Sequence, residues 1–203
     1  MPEKQFGTKL TPHRPVAIGI DQSLTGFAVT AVCIDAPEEY VTWVYKSDRR
    51  GVSRLADIQW WLESKFDLLD TQSNRITEIA MEGTVVASHS ASILGELAGV
   101  VKLTCWHYFD GTANSVVPFP AHLRVPLQIP PMTVKKYAAG KGNAKKQEML
   151  MQIYKRYGVE FNDDNAADSY AIARMAAGLH IDAVESAIIE QIKDLKFRDA
   201  IPQ

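Results

Sequence analysis

Two largely apolar runs in this chain each close on a carboxylate. Val16-Ala17-Ile18-Gly19-Ile20 leads into Asp21, and Ile76-Thr77-Glu78-Ile79-Ala80-Met81 leads into Glu82. A short apolar run bounded by turn residues reads as a strand buried in a sheet. An acid at the end of such a strand has lost part of its hydration, and it is kept only where a cation or hydrogen bonds replace that water. A third acid, Asp168, sits among Ala166, Ala167 and Ala171 in a segment that reads as the start of a helix. Three such groups brought together make a hard oxygen site suited to Mg2+ or Mn2+. Each acid taken singly also has a plainer reading. Asp21 and Glu82 can simply end strands, and Asp163 and Asp164 can cap a helix.

The pattern around these acids predicts a mixed five-stranded sheet flanked by helices. Strands are expected at 16–22, 27–34 and 40–47, joined as an antiparallel meander. Val52, Leu55, Ile58, Trp61, Leu62, Phe66 and Leu69 form a helical stripe over 52–69. A fourth strand at 76–82 is expected beside the first, which brings Glu82 near Asp21. A long helix is expected next at 90–108, with Gly95 and Gly99 on one face. The proline-rich stretch 110–131 reads as a loop with a short strand near 123–129. Helices are expected at 132–139, 143–157 (capped by Asn143), 165–178 and 181–196. This order gives an α/β domain over 16–180, a polar flexible arm at 1–15 and a helical extension at 181–203.

Several classes are disfavoured. No apolar run reaches the roughly 18 residues of a membrane span, and the first residues lack the apolar stretch of a secretory signal. Cys33 and Cys105 lie in apolar segments without metal-ligand spacing, so buried thiols in a reducing compartment are expected. The chain has a net charge of −2, yet from Lys135 to Arg156 seven Lys and Arg face one acid, Glu148. A basic block on a mildly acidic chain suits a local polyanion contact.

Two divalent ions held by carboxylates from different elements are a known solution to phosphodiester hydrolysis. On that reading Asp21, on the central strand, bridges the ions. Glu82 and Asp168 complete their shells, and one of Asp163, Asp164 and Asn165 adds a ligand.

The same residues carry a family resemblance. Gly19-Ile20-Asp21-Gln22-Ser23-Leu24-Thr25-Gly26, Met81-Glu82-Gly83, the lysine-bearing segment from Pro131 to Lys146, and Asp164-Asn165-Ala166-Ala167-Asp168-Ser169-Tyr170-Ala171 occur in that order. Together they resemble the motifs of the RuvC-type Holliday junction resolvases, most of all the phage-encoded ones, within the retroviral-integrase/RNase H-like superfamily. The resemblance implies an RNase H-like fold and an endonuclease that resolves four-way junctions as a homodimer, using two Mg2+ ions, with Mn2+ as a substitute. It implies Asp21, Glu82 and Asp168 as metal ligands and Lys135 and Lys146 as the lysines beside the scissile phosphate. Lys136, Lys141 and Lys145 are expected as DNA-backbone contacts. The helix at 90–108 is expected to form the dimer, and the bacterial or phage-infected cytoplasm to be the compartment. One departure stands out: the family's fourth acid, three residues before the last aspartate, is Asn165 here, so either Asp164 or Asn165 supplies the fourth ligand. A broader flap or RNA–DNA hybrid nuclease, or a non-catalytic DNA-binding subunit, are the rival expectations.

Overall fold

The computed structural model describes residues 3–83, 91–110 and 119–194. The expected meander is present: β2 (Pro15–Asp21), β3 (Phe27–Cys33) and β4 (Tyr40–Tyr45) run antiparallel. After α1 (Gly51–Thr71), β5 (Arg75–Glu82) returns parallel to β2. After α2 (Ala91–Phe109) and a short 3-10 turn (Ala121–Arg124), β6 (Leu127–Ile129) adds in parallel to β5. The chain continues through α3 (Pro131–Ala139), α4 (Lys146–Tyr157), α5 (Asp164–Ala176) and α6 (Ala183–Ile192). Residues 84–90, which include the start of the helix expected at 90–108, and residues 111–118 of the expected loop lie outside the described residues.

Among the described residues the sheet has six strands rather than five, in the order β1-β4-β3-β2-β5-β6. The extra one, β1 (Glu3–Gly7), lies in the expected arm and pairs antiparallel with β4. It carries almost no apolar pattern because it is an exposed edge strand. Backbone pairing holds it, helped by Phe6 edge-on to Phe161 (5.7 Å) and Glu3 bound by Lys65 (2.7 Å) and the Trp61 indole N–H (2.5 Å). Helix α4 also departs from expectation. It starts at Lys146, with Lys145 at its cap position, so Asn143 does not cap it. Ala144 is buried, which holds the lead-in as a turn rather than a first helical turn.

Each face of the sheet carries its own core. α1 and α2 cover one face with Ile58, Leu62, Phe66, Leu97 and Val101, against Val16, Ile18 and Ile20 of β2. α3 to α6 cover the other, against Ala17, Ala28 and Ala80. Residues 181–194 bring α6 into this second core, with Ile188, Ile189 and Ile192 buried in it. Arg156 of α4 ties α6 down through Asp182 (2.6 Å) and the fully buried Glu185. Both cysteines are buried and unbridged, and no helix among the described residues is long and apolar enough to cross a membrane.

The seat of α5 on the sheet sets where its acids stand. A Cβ at Gly19 would stand 2.2 Å from the Ala173 nitrogen and 2.3 Å from the Ser169 oxygen, so only glycine lets α5 lie this close to β2. A buried hydroxyl chain fixes the helix lengthwise. Ser169 donates to the Ala166 carbonyl (3.0 Å) and meets Thr30 of β3 (2.8 Å), which meets Thr42 of β4 (2.7 Å). Satisfied polar networks of this kind specify one packing arrangement.

Candidate active site

The parallel register Ile20↔Met81 sets Asp21 and Glu82 side by side where β2 and β5 end. Side chains alternate along a strand. Asp21 therefore shares the face of Ala17 and Gly19, and Glu82 that of Ala80, the face covered by α5. Asp163 caps α5, its side chain accepting from the Asn165 N–H (3.1 Å). Asp164 and Asp168 stand one turn apart on this helix, so they share a side of it. The close seat at Gly19 brings that side over the ends of β2 and β5.

The electrostatics agree with this convergence. Burial pushes the Asp21 carboxyl well up, and the negative charges of Glu82, Asp168 and Asp164 push it further, with Lys146 opposing. Burial raises Glu82, while Lys135 and a hydrogen-bonding contact with Asp21 pull it down. Burial, then Glu82 and Asp164, raise Asp168 to about 7, against Lys135 and Lys146. Asp21 is raised the more strongly of the two, because it is the more deeply buried and faces three other acids.

Of the expected lysines, two reach this group. Lys146, at the first turn of α4, pairs with Asp164 and has its own pKa raised by that bond. Lys135, on α3, acts on Glu82 and Asp168. The others stand apart from it: Lys141 pairs with Glu148 (2.8 Å), and Lys136 and Lys145 are exposed. The two candidates for a fourth acid position also separate. Asp164 bears on Asp21 and Asp168. The Asn165 amide turns instead to Asp163 (3.3 Å) and lies against Gly26, where a Cβ would come within 2.4 Å of it. Tyr137, which lies among the lysines in sequence, is fully buried and donates to the Leu179 carbonyl (2.5 Å), a packing role.

One neighbour has no counterpart among the residues singled out from sequence. Gln22 is buried, and its Nε2 donates to the Glu82 carbonyl (2.6 Å), clasping the ends of β2 and β5. A separation of 60 positions along the chain hides this contact from any local pattern.

Asp21, Glu82, Asp164 and Asp168, opposed by Lys135 and Lys146, carry a net charge of −2 when all are ionised. An all-oxygen, net-negative donor set is chemically suited to a hard divalent cation. Among the described residues no three His, Cys, Asp or Glu side chains stand close enough to hold an ion as they are. The carboxylates would have to draw in around one.

Known structures match this arrangement of elements. RuvC from Thermus thermophilus superposes with a TM-score of 0.56 and 18% identity, over 90% of this chain and 98% of that one. The fold is RuvC-like. T. thermophilus RuvC in complex with Holliday junction substrate matches with a TM-score of 0.55 and 19% identity, over 78% of this chain and 90% of that one. No family model matches the sequence, and no curated protein matches it. The match to RuvC is thus one of architecture.

Proposed function

We propose that this chain is a metal-dependent endonuclease that cuts branched DNA, and four-way junctions in particular. The observation that carries the proposal is the gathering of Asp21, Glu82, Asp164 and Asp168 with Lys135 and Lys146 at one end of a RuvC-like sheet. Asp21, Glu82 and Asp168 hold Mg2+ or Mn2+, two ions per site, and Asp164 rather than Asn165 is the fourth ligand. Bound there, the ions activate the attacking water and offset charge on the leaving oxygen. Lys146 and Lys135 stabilise charge developing on the phosphoryl oxygens. Lys146 is largely exposed, so its ammonium can leave Asp164 for a phosphate as DNA arrives. Lys136, Lys141 and Lys145 line the approach as backbone contacts.

A four-way junction has near two-fold symmetry, and a homodimer matches it with paired nicks. The dimer face we propose is that of α2 bearing Gly95 and Gly99, both of which have open space where a Cβ would stand. The direct test is a cleavage panel of junction, flap, fork and RNA–DNA hybrid in Mg2+. Paired symmetric nicks on the junction support the proposal. Preference for flaps or hybrids moves the assignment to a broader nuclease, and junction binding without nicks moves it to a non-catalytic subunit.

The fourth ligand has its own test. Asp164→Asn is expected to slow cleavage by about 10–100-fold, the range for losing a supporting metal-site group. Asn165→Ala is expected to leave the rate nearly unchanged. A larger loss from Asn165→Ala would reverse the assignment.

A further inference from the structure

We infer that the turn between β4 and α1, carrying Lys46, Arg49 and Arg50, is a second phosphate-binding surface that grips a DNA arm on the opposite side of the sheet from the lysines of α3 and α4. This inference rests on the nuclease reading and extends it to residues that none of the motifs include.

Register places the turn at the catalytic edge. Asp21 pairs with Ala28, and the adjacent Phe27 pairs with Tyr45, the last residue of β4. Lys46 comes directly after it. Two strand spacings separate β2 from β4, roughly 10 Å. Phosphates on one strand of a duplex recur about every 3.4 Å of helix axis, so the turn lies about three nucleotides from Asp21.

The turn is also built to display its charges. Buried Asp57 of α1 accepts from the Ser47 hydroxyl (2.9 Å), and the Arg49 side chain pairs with the same carboxylate (3.4 Å). The Arg49 N–H donates to Ser47 Oγ (3.1 Å), and Arg54 Nε donates to the Arg49 carbonyl (2.7 Å). With its backbone held from within, the turn directs Lys46 and Arg50 outward: both are exposed, and neither has an ion-pair partner among the described residues. Within residues 46–57, Lys46, Arg49, Arg50 and Arg54 meet only two acids, Asp48 and Asp57, and Glu3, which pairs with Tyr45 across the strands, is already bound by Lys65. No acidic residue occupies the first turn of α1.

The two basic groups flank the carboxylates from different faces. α1 packs on the face of Ile18 and Ile20, whereas α3 and α4 pack on that of Ala17 and Ala80. DNA lying across the sheet edge therefore meets cations on both sides of the acidic site. That arrangement suits a bulky branched duplex better than a single strand threaded along one groove.

The test is the salt dependence of junction binding in EDTA, measured with the full chain. Lys46→Gln/Arg50→Gln removes both charges and breaks no ion pair among the described residues. Lys9→Gln/Arg75→Gln makes the same charge change at the opposite end of the sheet, where β1 ends and β5 begins. Each lost phosphate contact lowers the slope of log affinity against log salt by about one. The first variant is expected to lower it by about two, and the second to leave it unchanged. An unchanged slope in the first, or an equal fall in both, overturns the inference while wild-type junction binding and cleavage leave the nuclease reading standing. Wild-type protein that neither binds nor cuts a junction would instead sink the nuclease reading itself.

Discussion

Asp21→Asn is expected to abolish cleavage and, in EDTA at pH 8, to raise the melting temperature. Both effects have the same cause. Asp21 is buried with Glu82, Asp164 and Asp168 around it, and its folded-state pKa is pushed well up. Asp168 is raised to about 7. A carboxyl with a raised folded pKa contributes stability that is complete below its unfolded value, near 4, and lost as pH rises through the folded value. At pH 8 the metal-free fold therefore carries repulsive charge that the unfolded chain does not. An amide of the same shape removes one such charge, which relieves on the order of 1–2 kcal/mol, or roughly 2–6 °C. The difference in melting temperature between wild type and variant should open as pH rises above the unfolded carboxylate value, near 4. Mg2+ should stabilise the wild type at pH 8 and have little effect on the variant. Cleavage should fall by at least about 10²–10³-fold, the scale for losing one charged element of a preorganised site. A variant that melts lower than wild type at pH 8 in EDTA would make Asp21 a structural residue.

Gly19→Ala is the second large effect, and it acts through backbone. The added methyl would meet the Ala173 nitrogen, the Ser169 oxygen and the Ala173 Cα, at 2.2, 2.3 and 2.8 Å. None of these atoms can swing aside as a side-chain tip can. Helix α5 must lift from β2, breaking the Ser169–Thr30 contact and carrying Asp164 and Asp168 away from Asp21. Overpacking of a tight core costs about 1–3 kcal/mol, so thermal melting should drop by roughly 3–10 °C. Cleavage should fall further than the loss of folded protein explains, when assayed well below the new melting point. An unchanged melting temperature would mean that α5 does not sit as described.

The contrast between these two residues shows which parts of the molecule sequence patterns reveal. Asp21 is legible because a buried strand ending on an acid is locally anomalous, and Glu82 and the start of α5 are legible on the same ground. The parallel pairing of β2 with β5 comes from the intervening helix. Asp163 can be read as a cap, and it is one. Gly19 is visible only as part of a motif, since the reason for glycine lies in a helix some 150 residues later. The pairing of Lys146 with Asp164 and the clasp of Gln22 on Glu82 depend on contacts that no local periodicity encodes. β1 escapes pattern reading because an edge strand held by main-chain bonds needs no apolar alternation. Asn143 has the residue type of a cap but not the place of one, because burial of Ala144, a tertiary effect, delays the helix to Lys146.

We propose that the four acids and two lysines where the ends of β2 and β5 meet the start of α5 direct the hydrolysis of DNA at a branch point. The measurement that tests it most directly is cleavage of a labelled synthetic four-way junction in Mg2+, wild type beside Asp168→Asn. Paired symmetric nicks with the wild type, lost in the variant while junction binding persists, are the predicted result. Tight junction binding by the wild type with no nicks in Mg2+ or Mn2+ would contradict it.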